Sequence, residues 1–329
     1  MGKKVLVTGG AGYIGSHACK ALAKAGYTPV AYDNLVYGHR AAVRWGPLVE
    51  ADLADKAALA ETLTRFEIAA VMHFAAFAYV GESMTNPQLY FHNNVVNTLT
   101  LLDAMLAAKL RHIVFSSSCA TYGAPERVPI TEDTPQHPVN PYGESKLIVE
   151  RLLHWYGTAY GLSYAALRYF NAAGADPGGE IGEEHEPETH LIPLILATAL
   201  GRRQQIDIYG TDYPTQDGSA VRDYIHVQDL AEAHVAALDH LRDGGASLAL
   251  NLGTGTGHSV REVIAAARRL TGRAILAREM ARRPGDPPVL VADASRARER
   301  LGWSARMSDL DSIIGSAWTW HNRAASADA

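Results

Sequence analysis

Along the first half of the chain, short β-branched and aromatic runs alternate with stretches of helical periodicity. VLVT (5–8), PVAYD (29–33), AVMHFAA (70–76), HIVFSSS (112–118) and SYAALRYF (163–170) predict strands. Between them, 14–25, 55–66, 88–108 and 144–160 predict helices. Near-continuous apolar strands alternating with helices imply a parallel sheet covered on both faces. The expected fold class is α/β, with a doubly wound parallel sheet and a smaller C-terminal α/β substrate domain.

After about Ala175 the texture changes. DPGGEIGEEHEPETH (176–190) is polar and rich in glycine, proline and acid, which predicts a long loop with a solvated acidic face. Beyond it, helices are expected near 191–201, 227–242, 258–271 and 308–322, and a strand near 206–209. NLGTG (251–255) resembles the end of another sheet strand. No repeat or low-complexity linker separates the halves. A first domain over 1–175 and a second over 176–329 are therefore expected to interleave, with about 222–255 returning to the first.

Composition narrows the function classes. Of the 329 residues 47% are hydrophobic and 20% charged, enough to build a core and too apolar for disorder. A net charge of −5 gives no whole-protein electrostatic case for nucleic acid. Two cysteines, Cys19 and Cys119, make neither a disulfide framework nor a metal cluster and suit a reducing compartment. Cys119 adjoins the candidate site but reads as a small filler. Glycines interrupt the N-terminal apolar run, and no run approaches the roughly 20 residues of a membrane span. The expectation is a soluble cytoplasmic protein with no membrane partner.

VLVTGGAGYIGS places Gly9, Gly12 and Gly15 between a strand and a helix. Such glycines let the backbone turn tightly beside a pyrophosphate, to which the helix N-terminus offers free N–H groups. Asp33 ends the second strand 18 residues after Gly15, where a ribose-binding carboxylate belongs. No basic residue follows it, only Asn34 and Leu35, so NAD is expected over NADP.

PYGESK (141–146) carries the candidate chemistry. Pro141 can open a helix, which sets Tyr142 and Lys146 one turn apart on one face. A free tyrosine has a pKa of about 10, so general-base work near neutrality needs about 4 kcal/mol of help. An ammonium about 5 Å away supplies near 3 kcal/mol at an effective dielectric of about 20. A bound oxidised nicotinamide would add a second positive charge. The strand HIVFSSS ends in hydroxyls at Ser118, and ligands of open α/β sheets bind at strand carboxyl ends.

TGGAGYIG, HFAA, FSSSCATYG, PYGESK, RYFNAAG, VRDYIHV and RRPGD occur in the order found in extended short-chain dehydrogenases/reductases. From residue 3 to about 322 the chain most resembles the UDP-glucose 4-epimerases (UDP-galactose 4-epimerases) and their pentose-using relatives. The resemblance implies an NAD-binding Rossmann domain, a UDP-sugar domain and a homodimer. It implies Tyr142 as catalytic base and acid, Lys146 as its electrostatic partner and ribose ligand, and Ser118 as partner of the sugar 4-hydroxyl. For the cofactor it implies Gly12, Tyr13, Ile14, Asp33, Asn34, Asp52, Leu53, Phe74, Ala75, Ala76, Asn93 and Phe170, beside Gly9, Gly15 and Ser116. For the nucleotide sugar it implies Ser118, Tyr142, Asn171, His190, Leu191, Tyr209, Arg222, Arg283, Asp286 and Leu290. Arg222 and Arg283 could grip a diphosphate. Asp286 could accept from the uridine ribose, and Tyr209 offers a face for uracil.

Two positions depart from that pattern: Ala78 stands where hexose enzymes often carry lysine, and Leu290 where tyrosine or cysteine is common. They leave UDP-xylose/UDP-arabinose as an alternative sugar pair. A nucleotide-sugar dehydratase would need carboxylic acids where Ser117, Ser118 and Cys119 stand. A noncatalytic NAD sensor would have no need of Tyr142, Lys146 and Ser118 together. In HEPETH, Pro187 spoils helical metal-ligand spacing between His185 and His190, so no metal is expected there.

Overall fold

The computed structural model describes residues 3–283 and 286–327; Pro284 and Gly285 of RRPGD lie outside the described residues. Its centre is a seven-stranded, wholly parallel sheet. Six strands come from the first half: β1 (Lys4–Thr8), β2 (Thr28–Asp33), β3 (Leu48–Glu50), β4 (Ala70–His73), β5 (His112–Ser118) and β6 (Ser163–Tyr169). Their order is β3-β2-β1-β4-β5-β6, and Leu248–Leu252 pairs beyond β6 as the seventh. The order reverses between β1 and β4, the crevice where doubly wound sheets bind ligands.

Strand pleating sends alternate side chains to opposite faces, and each face has its own core. Val5, Val7, Met72, Val114 and Leu167 pack against Ala18 and Leu22 of helix Tyr13–Lys24 and Leu230, Leu238 and Leu241 of helix Val227–Arg242. On the other face Leu6, Val71, Ile113 and Phe115 meet Leu59 and Leu63 of helix Lys56–Arg65, Leu101 and Met105 of helix Asn97–Ala107, and Val149 and Leu153 of helix Pro141–Tyr160. A third core lies outside the sheet. It joins Ile192, Ile195 and Leu196 of helix Leu191–Ala199 to Val263 and Ala267 of helix Val260–Thr271 and to Ile313 and Ile314 of helix Leu310–Ala327.

Four features differ from the sequence expectation. The AVMHFAA strand stops at His73, because the amides of Phe74 and Ala75 both turn to the Thr8 carbonyl. The helix expected over 88–108 is interrupted by a π-helical segment, Phe91–Val96. A short helix, Val80–Thr85, precedes it. The C-terminal half also forms two-residue strands, Val221–Arg222, His258–Ser259 and Val289–Leu290, too short to leave a periodic signal. No helix among the described residues is long and apolar enough to cross a membrane.

Candidate active site

The glycine turn is built by close backbone approach. Gly9 has φ +71°, and a Cβ there would stand 2.7 Å from the Ala75 nitrogen; at Gly15 it would stand 2.0 Å from the Gly9 carbonyl oxygen. Only glycine fits either position. Helix Tyr13–Lys24 begins at this turn, so its first N–H groups face the crevice, the arrangement a pyrophosphate needs. Asp33 closes the far side, accepting from Ala11 N and Leu35 N at 2.9 Å each. Burial raises its pKa against those two donors. Asn34 donates to Asp52 at 2.7 Å, which fixes both beside Asp33. The turn, the acid and the free helix end together fit NAD.

The other expected cofactor residues divide. Phe74, Ala75 and Ala76 follow β4 at the crevice, with the Phe74 ring 4.7 Å from that of His234. Leu53 is buried in the second core, so its side chain is committed to packing. Asn93 donates to the Asn94 side chain at 3.0 Å. Tyr13 points across the structure, donating to the Gly174 carbonyl at 2.6 Å.

At the end of β5 the residues expected to transfer the proton converge. Asn140 caps helix Pro141–Tyr160 by accepting from Gly143 N, and Pro141 takes the first helical position. Lys146 then lies under the site: its Nζ donates to the Ser116 carbonyl at 2.7 Å and stands 5.8 Å from the centre of the Tyr142 ring. Ser118 accepts from Ala120 N. The hydroxyl of Ser116 bonds Tyr169, so at this residue the carbonyl serves Lys146.

The electrostatics show Tyr142 and Lys146 without the second positive charge that a bound nicotinamide would add. Burial pushes the Tyr142 phenol up to about 12, with the Ser118 hydroxyl pulling the other way. Burial also lowers Lys146 to about 7, against the opposing pull of Glu150. A helical spacing guarantees proximity, but desolvation penalises both charged forms and outweighs their attraction.

The residues expected to meet the nucleotide sugar gather on the opposite wall. Asn171 begins the strand Asn171–Ala173. Arg222 pairs with Asp286, so the acid expected to meet a ribose holds the arginine. Arg283 lies over Tyr209 with its guanidinium carbon 4.0 Å from the ring centre, on a face expected to carry uracil. Leu290 stands beside Arg222 in strand register and packs with Phe170 and Cys119. Burial pushes the Cys119 thiol up to about 12, which makes it an inert filler. His190 precedes Leu191 at the start of its helix. Burial disfavours its cation, but Glu183 and Glu188 raise it to about 10.

Three supports left no motif in the sequence. Asn94 bonds both backbone groups of Phe77 and the Ser145 hydroxyl, tying the loop after β4 to the catalytic helix from within a π segment. Glu150 accepts from Ser117 and, in a bidentate pair, from Arg168, which donates to Tyr122. Asp223, fully buried, accepts from Thr254, Gly255 and Ala292 backbone amides and so sets Arg222 against Leu290. The spacing of Glu150 from Lys146 was the available signal for the second.

Comparison with known proteins gives a consistent result. Residues 5–253 match the family described as NAD dependent epimerase/dehydratase. A UDP-glucose 4-epimerase of Rhizobium meliloti (strain 1021) is 54% identical over 97% of this chain and 97% of its own. The crystal structure of UDP-glucose 4-epimerase from Brucella ovis in complex with NAD is 55% identical, covers 96% of this chain and 98% of its own, and superposes with a TM-score of 0.95. A UDP-glucose-4-epimerase from Stenotrophomonas maltophila, with bound NAD and formylated UDP-arabinopyranose, is 44% identical with a TM-score of 0.95, over 99% of this chain and all of its own.

Proposed function

Because this chain belongs to the NAD dependent epimerase/dehydratase family, we propose that it is a UDP-glucose 4-epimerase, interconverting UDP-glucose and UDP-galactose. The observation that carries the reading is the convergence of Tyr142, Lys146 and Ser118 at the carboxyl end of β5, facing the glycine turn across the reversal of strand order. Bound NAD supplies a hydride acceptor that becomes the donor for the return step. Gly9, Gly12, Gly15 and the N-terminus of helix Tyr13–Lys24 would hold its pyrophosphate, and Asp33 its ribose.

The chain's own residues handle the proton and the anchor. Ser118 and Tyr142 meet the sugar 4-hydroxyl. Tyr142 takes its proton as C4 loses a hydride, leaving a 4-keto sugar. The keto sugar turns about its diphosphate, C4 regains the hydride on the opposite face, and Tyr142 returns the proton to oxygen. Arg222 and Arg283 supply positive charge for the diphosphate, with His190 beside it, while Leu290 and Phe170 wall the pocket. Since Tyr142 rests at about 12 in the protein alone, it is protonated until the loaded site adds charge.

Tyr142→Phe tests the assignment. NAD content and UDP affinity should stay near wild type while kcat falls about 10²–10⁴-fold, the range for a lost general acid–base. Epimerisation in D₂O should leave C4 without deuterium. Near-normal turnover, or solvent deuterium at C4, would refute it.

The same reading makes the chain a cytoplasmic homodimer. Two free cysteines support the compartment. Exposed Trp155 and Tyr160 on helix Pro141–Tyr160, with Val96 nearby in sequence to helix Asn97–Ala107, support the dimer face.

A further inference from the structure

We infer that Glu183, His185, Glu188 and His190 form a site for one divalent transition-metal ion of the zinc class, held in the loop that leads into helix Leu191–Ala199. The segment is a loop, as its composition predicts, yet its two histidines are not scattered. One ligand atom from each of the four residues lies within 4.8 Å of all the others. A loop reaches this convergence without helical spacing, so Pro187 is no obstacle.

The spacing of His185 from both carboxylates is that of ligands on one metal ion. The His185 Nδ1 is buried and makes no hydrogen bond. It stands 3.4 Å from Glu183 Oε1 and 3.6 Å from Glu188 Oε2. Two ligands on tetrahedral zinc, at bonds of about 2.0–2.1 Å, lie about 3.3–3.4 Å apart. An imidazole engaged only with a carboxylate would close to hydrogen-bond length, as His190 Nδ1 does at 2.8 Å from Glu183 and 2.9 Å from Glu188. His190 must withdraw by about half an ångström to reach ligand spacing. Its side chain is 43% exposed, which leaves it room.

Charge and surroundings agree. Glu183 is only 3% exposed, a costly place for a carboxylate without a permanent counter-charge. Glu188 is oriented by the amides of Thr189 and His190 at 2.7 and 2.8 Å, the outer support that ligating carboxylates need. Tyr13 and Tyr79 stand edge-on to the His185 ring and wall the site. His321, with a second buried unpartnered ring nitrogen, lies within electrostatic reach of both glutamates. A set of two nitrogens and two oxygens suits zinc and lacks the thiolates that select softer ions. A bound ion would lock the loop against Tyr13 of the glycine turn.

The test uses the full chain with its NAD, stripped by dipicolinate and titrated with ZnCl₂ against a chromophoric chelator. One zinc per chain should bind with a Kd below about 1 μM, and Glu188→Gln and His185→Asn should each weaken it by more than about 100-fold, beyond the roughly 10–100-fold cost of losing an outer-shell partner. Zinc should raise Tm in the wild type and in neither variant. Should the variants misfold, Co²⁺ loading of the wild type gives the second readout: intense four-coordinate d–d bands are expected. Wild-type protein that binds no zinc, binding unchanged in both variants, or a six-coordinate cobalt spectrum would each overturn the site and leave an ionic clamp.

Discussion

Glu150→Gln probes how the core beneath the serine strand serves the site. Glu150 and Arg168 are 8% and 7% exposed and form a bidentate pair. The substitution keeps the shape and one acceptor but leaves the Arg168 charge buried without a carboxylate. Breaking such a pair costs about 3–5 kcal/mol. The retained amide oxygen and the Tyr122 hydroxyl still meet the guanidinium, which favours the lower end. At about 2.1 cal/mol/K per residue, 329 residues unfolding as one unit have an entropy near 0.7 kcal/mol/K. Tm should therefore fall by about 4–7 °C in calorimetry. Replacing both partners, Glu150→Met with Arg168→Met, removes the stranded charge and should recover most of that loss, because an apolar pair of similar volume is often neutral. Tyr122 keeps Asn251 as a partner in that variant. There is also a catalytic readout. Glu150 is one helical turn beyond Lys146 and raises its pKa, so removing the charge lowers Lys146 further below about 7. The charged lysine is then lost at lower pH, and the alkaline limb of the kcat profile should move to lower pH. A Tm within about 1 °C of wild type, together with an unchanged profile, would refute the reasoning.

Two further outcomes follow from the same packing. Gly15→Ala would drive a methyl to 2.0 Å from the Gly9 oxygen, while Gly9 is itself pinned against Ala75. The purified variant should retain less than about a tenth of wild-type NAD while its far-ultraviolet circular dichroism is preserved, at an overpacking cost of about 1–3 kcal/mol. Full cofactor occupancy would count against this backbone as the dinucleotide turn. Acid should also weaken the fold early. Burial lowers His17, His73 and His234 to about 4, 3 and 4, so each is neutral when folded and protonates near 6.5 when unfolded. The unfolded state binds more protons in that window, so stability is full above about pH 6.5 and falls as pH drops. Three such groups give about 4 kcal/mol per pH unit between roughly pH 6 and 4. Calorimetry showing a flat Tm from pH 6 to 5 would contradict it, and His234→Asn should remove about one proton of uptake.

What the sequence discloses and what it hides divide by the range of the interactions. HIVFSSS marks its strand to the residue, because Ser118 both ends the ladder and caps the next turn. The glycine turn, Asp33 and the start of the Tyr142 helix are likewise local patterns, each with its own backbone reason. The loop 176–190 is different. Its polarity predicts exposure, yet Glu183 is buried, and the neighbouring Gly182 lies against Trp320 of helix Leu310–Ala327. No short-range pattern encodes a contact with a helix more than a hundred residues away. The π segment at Phe91–Val96 escapes for a related reason. Its Asn94 side chain bonds Phe77 and Ser145, partners 17 and 51 residues away.

Tyr142 and Lys146 show the same division within one pair of residues. A spacing of four fixes which side chains are neighbours, and it does so here, with Lys146 Nζ 5.8 Å from the ring centre. It does not fix their charge, since desolvation depends on how many other elements close over them. With Tyr142 raised to about 12 and Lys146 lowered to about 7, the protein alone holds a neutral phenol beside a half-charged amine near neutrality. Acid–base competence is thus a property of the loaded site. A positive group bound beside the phenol favours its anion, and a phosphate-bearing substrate favours the lysine cation. On the proposed function, the site would be most reactive when cofactor and substrate are both in place, which would keep the phenol from exchanging protons idly and tie proton transfer to hydride transfer.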